Sequence, residues 1–370
     1  MKFSCDKYVL QNAITTAARA ASPKSTITVL EGLLIEAAGA GVKITGYDLK
    51  KGIFTTVEAD VVEQGAAVFT AKLFVEMVRR LPDGIVTVET DGDNARVRCG
   101  RSEYTMMTMD AEEYPELMTV AAEQTIKLPQ PLLKEMIEET VFAVSANESR
   151  PVYMGSLFEI SGGELTVVSV DGYRLALRRE KLGGFDEESR FIIPGSALSD
   201  VERICSDDEK AEAVICVGSK HVSFEIDSIT VISRRLEGDF LNYKKAVPES
   251  FRTDIAIDRT EFLSVVDRVS LVVDDKMKSP LRVVFGDGRI DFSCASPMGR
   301  AVDEYVCDGN GGEVEIGFND RYLREALRAA PAEQLLCRIN TGSSPCVLAP
   351  ADGGDKFIYM ILPVRLSARD

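Results

Sequence analysis

The chain has 370 residues, 45% of them hydrophobic, with 43 lysines and arginines against 59 aspartates and glutamates for a net charge of −16. That length has room for two or three domains with full cores, and an evenly spread negative charge excludes general adhesion to nucleic acid, so the location of the cations decides the matter. No run of about 18 apolar residues is present, which excludes a membrane-spanning helix.

The start, Met1-Lys2-Phe3-Ser4-Cys5-Asp6, lacks the charged-then-apolar layout of a secretory signal, so a cytoplasmic protein is expected. The strand Phe3-Ser4-Cys5 leads into a helix expected over 6–20, capped by Asp6 and carrying Leu10, Ala13, Ile14 and Ala17 on one face. Alternating strands such as Val42-Lys43-Ile44-Thr45 follow. Ala67-Val68-Phe69 then leads into a second helix over 71–81, whose apolar side is Phe74, Met77, Val78 and Leu81. Ile85-Val86-Thr87-Val88-Glu89 and Arg96-Val97-Arg98-Cys99 flank a hairpin turn at Asp91-Gly92. The acids Asp91 and Asp93 belong to that turn, since the residues after them do not continue an EF-hand loop.

The same grammar restarts at Ile126-Lys127-Leu128, with a helix over 129–145 on Leu132, Leu133, Met136 and Ile137. Pro129 and Pro131 suit its start. Leu165-Thr166-Val167-Val168 and Phe191-Ile192-Ile193 are strands, and a helix is expected over 195–205. A third start comes at Ile255-Ala256-Ile257, with a helix over 258–272 capped by Asp258 and built on Phe262, Val265, Val266 and Val269. Arg289-Ile290-Asp291-Phe292 and Val314-Glu315-Ile316 are strands before a last helix over 319–330.

This recurrence is literal. Gly32-Leu33-Leu34-Ile35-Glu36 returns as Gly155-Ser156-Leu157-Phe158-Glu159, and Ile44-Thr45-Gly46-Tyr47-Asp48 as Val167-Val168-Ser169-Val170-Asp171. A fainter third copy runs through Leu281-Arg282-Val283-Val284-Phe285 and Ser293. A unit of roughly 123 residues is domain-sized, well beyond solenoid periods. The expected fold is therefore α+β, one domain of antiparallel strands and two helices written three times. Its boundaries are 1–122, 123–248 and 249–370.

The eight cysteines (Cys5, Cys99, Cys205, Cys216, Cys294, Cys307, Cys337, Cys346) are scattered without a Cys-x-x-Cys pair, and buried thiols are expected. The single histidine, His221, sits in a strand-like stretch, so neither a metal nor a cofactor is expected. No Gly-x-x-x-x-Gly-Lys-Ser/Thr, Gly-x-Gly-x-x-Gly or Gly-x-Ser-x-Gly string occurs, which leaves an enzyme reading without a constellation.

The helix over 319–330 presents Arg321, Arg324 and Arg328 opposite its apolar side, and the helix over 71–81 presents Lys72, Arg79 and Arg80 with Glu76 intruding. Taken singly, each reads as a solvated face; taken together, they are candidate phosphate-contacting surfaces. Acids concentrate in Glu112-Glu113, Asp186-Glu187-Glu188, Asp207-Asp208-Glu209 and Asp274-Asp275. The helix over 129–145 departs from the basic pattern, with Glu135, Glu138 and Glu139 against Lys134.

The threefold repeat, Thr45-Gly46-Tyr47-Asp48-Leu49, Arg79-Arg80-Leu81-Pro82-Asp83-Gly84, Gly100-Arg101-Ser102, Val170-Asp171-Gly172-Tyr173-Arg174-Leu175-Ala176 and the terminal Leu362-Pro363-Val364-Arg365-Leu366 together resemble the bacterial DNA polymerase III beta subunit family, the sliding clamps. The likeness runs from Met1 to Leu366. It implies a head-to-tail homodimer whose six domains close a ring around duplex DNA, a non-catalytic and nucleoid-associated processivity factor that slides without reading sequence. Expected partners are duplex DNA, a second copy, the replicative polymerase alpha subunit, the clamp loader and other clamp-binding proteins. Lys24 and Arg150, in loops, join Lys72, Arg79, Arg80, Arg321, Arg324 and Arg328 as implied DNA contacts.

The resemblance also implies a pocket for partner peptides at Tyr153, Val170, Gly172, Tyr173, Arg174, Leu175, Leu241, Lys245, Ala246, Met360, Leu362, Pro363, Val364, Arg365 and Leu366. Tyr153 replaces the family's commoner aliphatic residue, Leu241 a proline and Lys245 an arginine, and Ser367-Ala368-Arg369-Asp370 extends past the usual end. An implied dimer seam sets Arg101 and Tyr104 against Leu271, Asp303 and Glu304. The rival reading is an acidic multidomain scaffold that binds proteins only.

Overall fold

The computed structural model describes residues 1–183, 187–274 and 279–366. Asp186 and Asp275 of the acid clusters, and the extension 367–370, lie outside the described residues. In chain order the first repeat is β1 (Lys2–Asp6), α1 (Lys7–Ala17), β2 (Gly32–Ala38), β3 (Gly41–Tyr47), β4 (Lys51–Glu58), β5 (Asp60–Glu63), β6 (Gly65–Thr70), α2 (Ala71–Arg80), β7 (Ile85–Asp91), β8 (Asn94–Cys99) and β9 (Ser102–Met109). The second is β10 (Gln124–Pro129), α3 (Gln130–Val141), β11 (Gly155–Ser161), β12 (Glu164–Val170), β13 (Arg174–Lys181), β14 (Ser189–Pro194), α4 (Gly195–Ile204), β15 (Glu212–Val217), β16 (His221–Ile226) and β17 (Ile229–Arg234). After the short α5 (Tyr243–Ala246), the third is β18 (Thr253–Asp258), α6 (Arg259–Val269), β19 (Leu281–Ser296), β20 (Gly299–Phe318), α7 (Asp320–Ala329), β21 (Gln334–Ile339), β22 (Cys346–Pro350) and β23 (Phe357–Ile361).

The helices begin where short polar side chains satisfy orphan amides. Asp6 accepts from the amides of Tyr8 and Val9, Asp258 from Glu261 and Asn319 from Tyr322, each cap contributing about 1 kcal/mol. The ends differ from expectation in three of the long helices. The last turns expected over 6–20 and 258–272 tighten into 3₁₀ segments at Ala18–Ala20 and Ser270–Val272. The helix expected over 129–145 runs only from Gln130 to Val141, because Pro129 closes a strand opposite Glu212 and the Ser145 amide is drawn to the Tyr153 carbonyl at 2.7 Å. At the Asp91-Gly92 turn, Asp91 faces Asn94 across the hairpin and Gly92 takes a φ of 55°, which favours glycine.

Two compact units result, and the middle repeat contributes to both: Met1–Lys134 with Ser196–Arg235, and Glu135–Gly195 with Leu236–Asp370. The first unit holds one thirteen-stranded antiparallel sheet in the order β10-β15-β16-β17-β4-β3-β2-β6-β9-β8-β7-β1-β5. Its first-repeat core joins Phe3, Leu10 and Ile14 to Phe69, Phe74 and Val78. The second unit holds an eight-stranded sheet, β14-β11-β12-β13-β23-β22-β21-β18, and the separate hairpin β19-β20. Phe262, Phe285, Phe292 and Phe318 anchor its larger core.

Each unit contains one place where a strand of one repeat pairs with a strand of the next. In the first unit β4 pairs antiparallel with β17, Ile53 opposite Val231; in the second, β13 pairs with β23, Leu175 opposite Met360. The third repeat departs from the other two. Where they use separate short strands, β19 and β20 run on as one long hairpin, with register shifts around Asp287. Seven of the eight cysteines are buried and Cys216 is half-buried, as expected. His221 lies in β16 opposite Arg234.

Candidate docking pocket and DNA-facing cations

In the second unit the chain between β12 and β13 turns through Asp171-Gly172-Tyr173-Arg174. The Asp171 carboxylate accepts from the amides of Tyr173 at 2.8 Å and Arg174 at 3.1 Å, and Gly172 adopts a φ of 96°. This Asx-type turn would be strained with a larger residue at Gly172. It repeats the turn at Asp48, whose carboxylate accepts from Lys50 and Lys51.

Arg174 leaves the turn buried, and its guanidinium is satisfied on every side. Nε reaches Asp171 at 3.0 Å, one terminal nitrogen reaches Glu325 on α7, and the other donates to the Phe142 carbonyl at 2.6 Å. Its plane lies 4.5 Å from the Tyr322 ring centre and 5.3 Å from that of Phe142. Burial alone would raise the Glu325 carboxyl; the hydrogen bonds and charges of Arg174 and Arg321 outweigh it and hold the group below the usual range. Burial, with Asp171 close by, raises the Tyr322 phenol.

This fixed base presents an open, largely apolar surface. Tyr173 is 63% exposed and stacks on Tyr322. Its carbonyl accepts from the Leu362 amide at 2.9 Å, and the Val364 amide donates to the Gly317 carbonyl at 2.7 Å, so the terminal strip is tied down at Leu362 and Val364. Val170, Leu175 and Met360 are buried in one cluster with Phe240 and Tyr243, and Tyr153, Leu241 and Ala246 pack against it half-buried. Tyr153 meets Phe240 edge to face at 5.6 Å. Lys245, Val364 and Arg365 are exposed, while Leu362, Pro363 and Leu366 are half-buried. Of the sequence-derived pocket residues, Tyr153, Val170, Leu175, Leu241, Ala246 and Met360 thus meet in one apolar cluster, with Leu362 hydrogen-bonded to Tyr173 beside it. Sequence reasoning missed Tyr322, Phe142 and Glu325, which support Arg174. The one available signal was the apolar-edge position of Tyr322 beside the basic stripe of the last helix.

The cations are less free than their spacing suggests. Arg321 pairs with Glu325 at 2.9 Å, Arg324 with Asp320 at 2.6 Å and Arg328 with Asp267 at 3.0 Å. Arg79 and Arg80 share Glu76, at 2.7 and 3.1 Å. Lys72, Lys24 and Arg150 are exposed, the latter two in loops. Arg328 also borders a cavity of about 790 Å³ that it shares with Glu135, Glu138, Glu139 and Arg178. The exposed pairs that Arg79 and Arg80 make with Glu76 are worth little to stability, whereas Asp320 is buried beneath Arg324. On the seam residues, Arg101 is exposed beside the turn at Gly100, Tyr104 is half-buried on β9, Leu271 is exposed, and Asp303 pairs with Arg268 at 2.6 Å, which holds its carboxyl low. Glu304 is exposed.

Antiparallel sheets and helices repeated along the chain define a repeated α+β architecture. Family models describe the same three parts: the DNA polymerase III beta subunit N-terminal domain matches residues 1–118, the central domain 127–242 and the C-terminal domain 244–365. The beta sliding clamp of Staphylococcus aureus is 31% identical over 376 residues, covering 99% of each chain, and that of Staphylococcus epidermidis is 30% identical over the same span. Among solved structures, the sliding clamp of Bacillus subtilis superimposes with a TM-score of 0.93 at 28% identity, over 99% of this chain and 100% of that one. The DNA polymerase III beta subunit of Thermotoga maritima gives 0.92 at 26% identity, with the same coverage. The chain belongs to the DNA polymerase III beta subunit family and is a sliding clamp, a non-catalytic DNA polymerase processivity factor. Among the described residues no helix is long and apolar enough to cross a membrane.

Proposed function

We propose that two copies of this chain close head to tail through the edges of β9 and β20, and that the resulting ring holds duplex DNA in the cytoplasm against Lys24, Lys72, Arg79, Arg80, Arg150, Arg321, Arg324 and Arg328. The observation that carries this reading is a pair of unfilled strand edges. Two repeat junctions are already made within the chain, β4 with β17 and β13 with β23. The strand of the third repeat that corresponds to β4 and β13 is the first half of β20, and among the described residues it pairs only with β19. Val302 lies three residues past the turn-closing Gly299, as Leu177 lies three past Arg174 and Phe54 three past Lys51. Leu177 is fully buried opposite Ile358; Val302 is 66% exposed. On β9, residues 102–107 pair with β8 alone, and Met107 is exposed. An exposed apolar strand edge calls for a partner, and an end-to-end contact between unlike edges closes if the rotation is right. Arg101 and Tyr104 then face Leu271, Asp303 and Glu304 across the seam.

Loose phosphate contacts without base-edge hydrogen bonds permit sliding. Retention then comes from topological linkage, and the acidic exterior discourages binding elsewhere. The pocket around Tyr173, Arg174 and Leu362 would receive short peptides of the polymerase alpha subunit, the clamp loader and other clamp-binding proteins through apolar anchors.

The test is retention on DNA. Loaded onto nicked circular DNA by a clamp loader, the protein should stay bound until the circle is linearised and then slide off; equal retention on both forms contradicts encirclement and favours an acidic scaffold. Truncation after Ile361 should abolish binding of polymerase-derived peptides while leaving the dimer mass unchanged, and unaltered peptide affinity would remove the pocket assignment.

A further inference from the structure

A second groove, of about 830 Å³, lies in the first unit between the linker at 114–122 and the face of the thirteen-stranded sheet. Its floor is two rows of cross-strand neighbours. One runs Leu34, Thr45, Phe54, Thr230; the other begins with Glu36 opposite Lys43. Leu34 and Phe54 are only half-buried. Thr45 is 2% exposed, lines the groove, and its hydroxyl has no hydrogen-bond partner among the described residues. Such an orphan costs free energy until something bonds to it.

The same rows recur in the second unit as Leu157, Val168, Leu177, Ile358, and as Glu159 opposite Thr166. There they are closed over: Leu157, Val168 and Leu177 are fully buried. The cover comes from the chain's own linker, Phe240-Leu241-Asn242-Tyr243. The Tyr243 hydroxyl donates to Glu159, and Lys244 sits 2.9 Å from the same carboxylate. In the first unit the corresponding linker reads Tyr114-Pro115-Glu116-Leu117. Tyr114 is buried as Phe240 is, but leucine stands where Tyr243 would be. Glu36, the counterpart of Glu159, pairs with Lys43 at 3.8 Å across the strands. The phenol, and the cation that the linker itself supplies at Lys244, are missing from the cover.

We propose that this groove docks a peptide presenting a tyrosine followed by a basic residue. Its ring lies on Leu34 and Phe54, its hydroxyl donates to Glu36 as Tyr243 donates to Glu159, and its cation meets an acidic rim to which Glu116 and Glu225 also contribute. The groove is distinct from the pocket around Arg174, and the proposal does not rest on that assignment.

The probe is a synthetic peptide copying residues 239–247 of this chain, titrated into the full-length protein with methyl-labelled Leu, Ile and Val. Saturable shifts at Leu34 and Ile232 are expected. A Tyr243→Phe peptide, and separately the Glu36→Gln variant of the protein, should each weaken binding about fivefold, the scale of one hydrogen bond. Leu117→Tyr should supply the missing phenol from within and remove binding. Absence of shifts at Leu34 and Ile232, shifts confined to Leu362 and Val364, or equal affinity across the two peptides and the Glu36→Gln variant would each overturn the proposal.

Discussion

At the repeat junction of the first unit, Lys51 closes the turn after Asp48 and its ammonium meets Asp200 on α4, with Arg19 4.0 Å from the same carboxylate. At the junction of the second, Arg174 closes the matching turn and meets Glu325 on α7, Asp171 and the Phe142 carbonyl, between two aromatic rings. The plan is shared: a cation at the end of the turn reaches an acid on the second helix of the next repeat. The difference is valence. An ammonium is a point charge that one carboxylate can satisfy, whereas a guanidinium fork fixes several groups in one plane and stacks as well. Arg174 can therefore hold the turn at Tyr173 in place, and the junction with the richer network is the one beside which the docking pocket is proposed.

Removing the cations should break this symmetry most visibly. Arg174→Ala removes a buried guanidinium from between Asp171, Glu325 and the Phe142 carbonyl, leaving Arg321 on Glu325 and two backbone amides on Asp171, and should destabilise the protein by about 3–5 kcal/mol in denaturant unfolding. Arg174→Lys should recover only part of that. Lys51→Ala should cost less, about 2 kcal/mol, since Arg19 remains beside Asp200. Equal costs at the two junctions would remove the distinction between them.

Acidity should sharpen it further. The second unit buries Arg178 against Glu139 at 2.8 Å; one repeat earlier the same positions are Thr55 and Thr16. Burial raises the Glu139 carboxyl to about 7 against the attraction of Arg178. The native state then holds this proton more tightly than the unfolded chain, so its contribution favours folding as pH falls from about 7 toward 4.5. Glu159 and Glu325, held low, act in the opposite sense and lose their contribution below their ordinary range. Glu139→Gln should flatten the rise between pH 7 and 5 seen in thermal unfolding; an unchanged profile would reassign it.

The smallest expected effect is in the first unit. Thr45→Val installs the residue type found at Val168 and removes an unpartnered buried hydroxyl, for a gain of about 1 kcal/mol.

Much of this was legible in the sequence, where local chemistry decides local structure. The Asp6 and Asp258 caps and the Asp91-Gly92 turn follow from residues within a few positions of one another, and the return of Asp48 as Asp171 follows from the repeat of the sequence itself. The ion pairs that finish each junction were not legible, because Lys51 and Asp200 are separated by 149 residues and Arg174 and Glu325 by 151. The helix expected over 129–145 overran because apolar spacing continues past Val141, while the turn is imposed by the distant Tyr153 carbonyl. The basic stripe on α7 was visible, but Asp267, which neutralises part of it, lies on a different helix.

Sedimentation of the wild-type protein beside a variant carrying Val302→Asp and Val306→Asp tests head-to-tail closure most directly. With β9 and β20 as the closing edges, the wild type runs at twice the protomer mass and the folded variant, its edge charged, at one. A monomeric wild type at micromolar concentration, or a variant that still dimerises, contradicts closure through these strands.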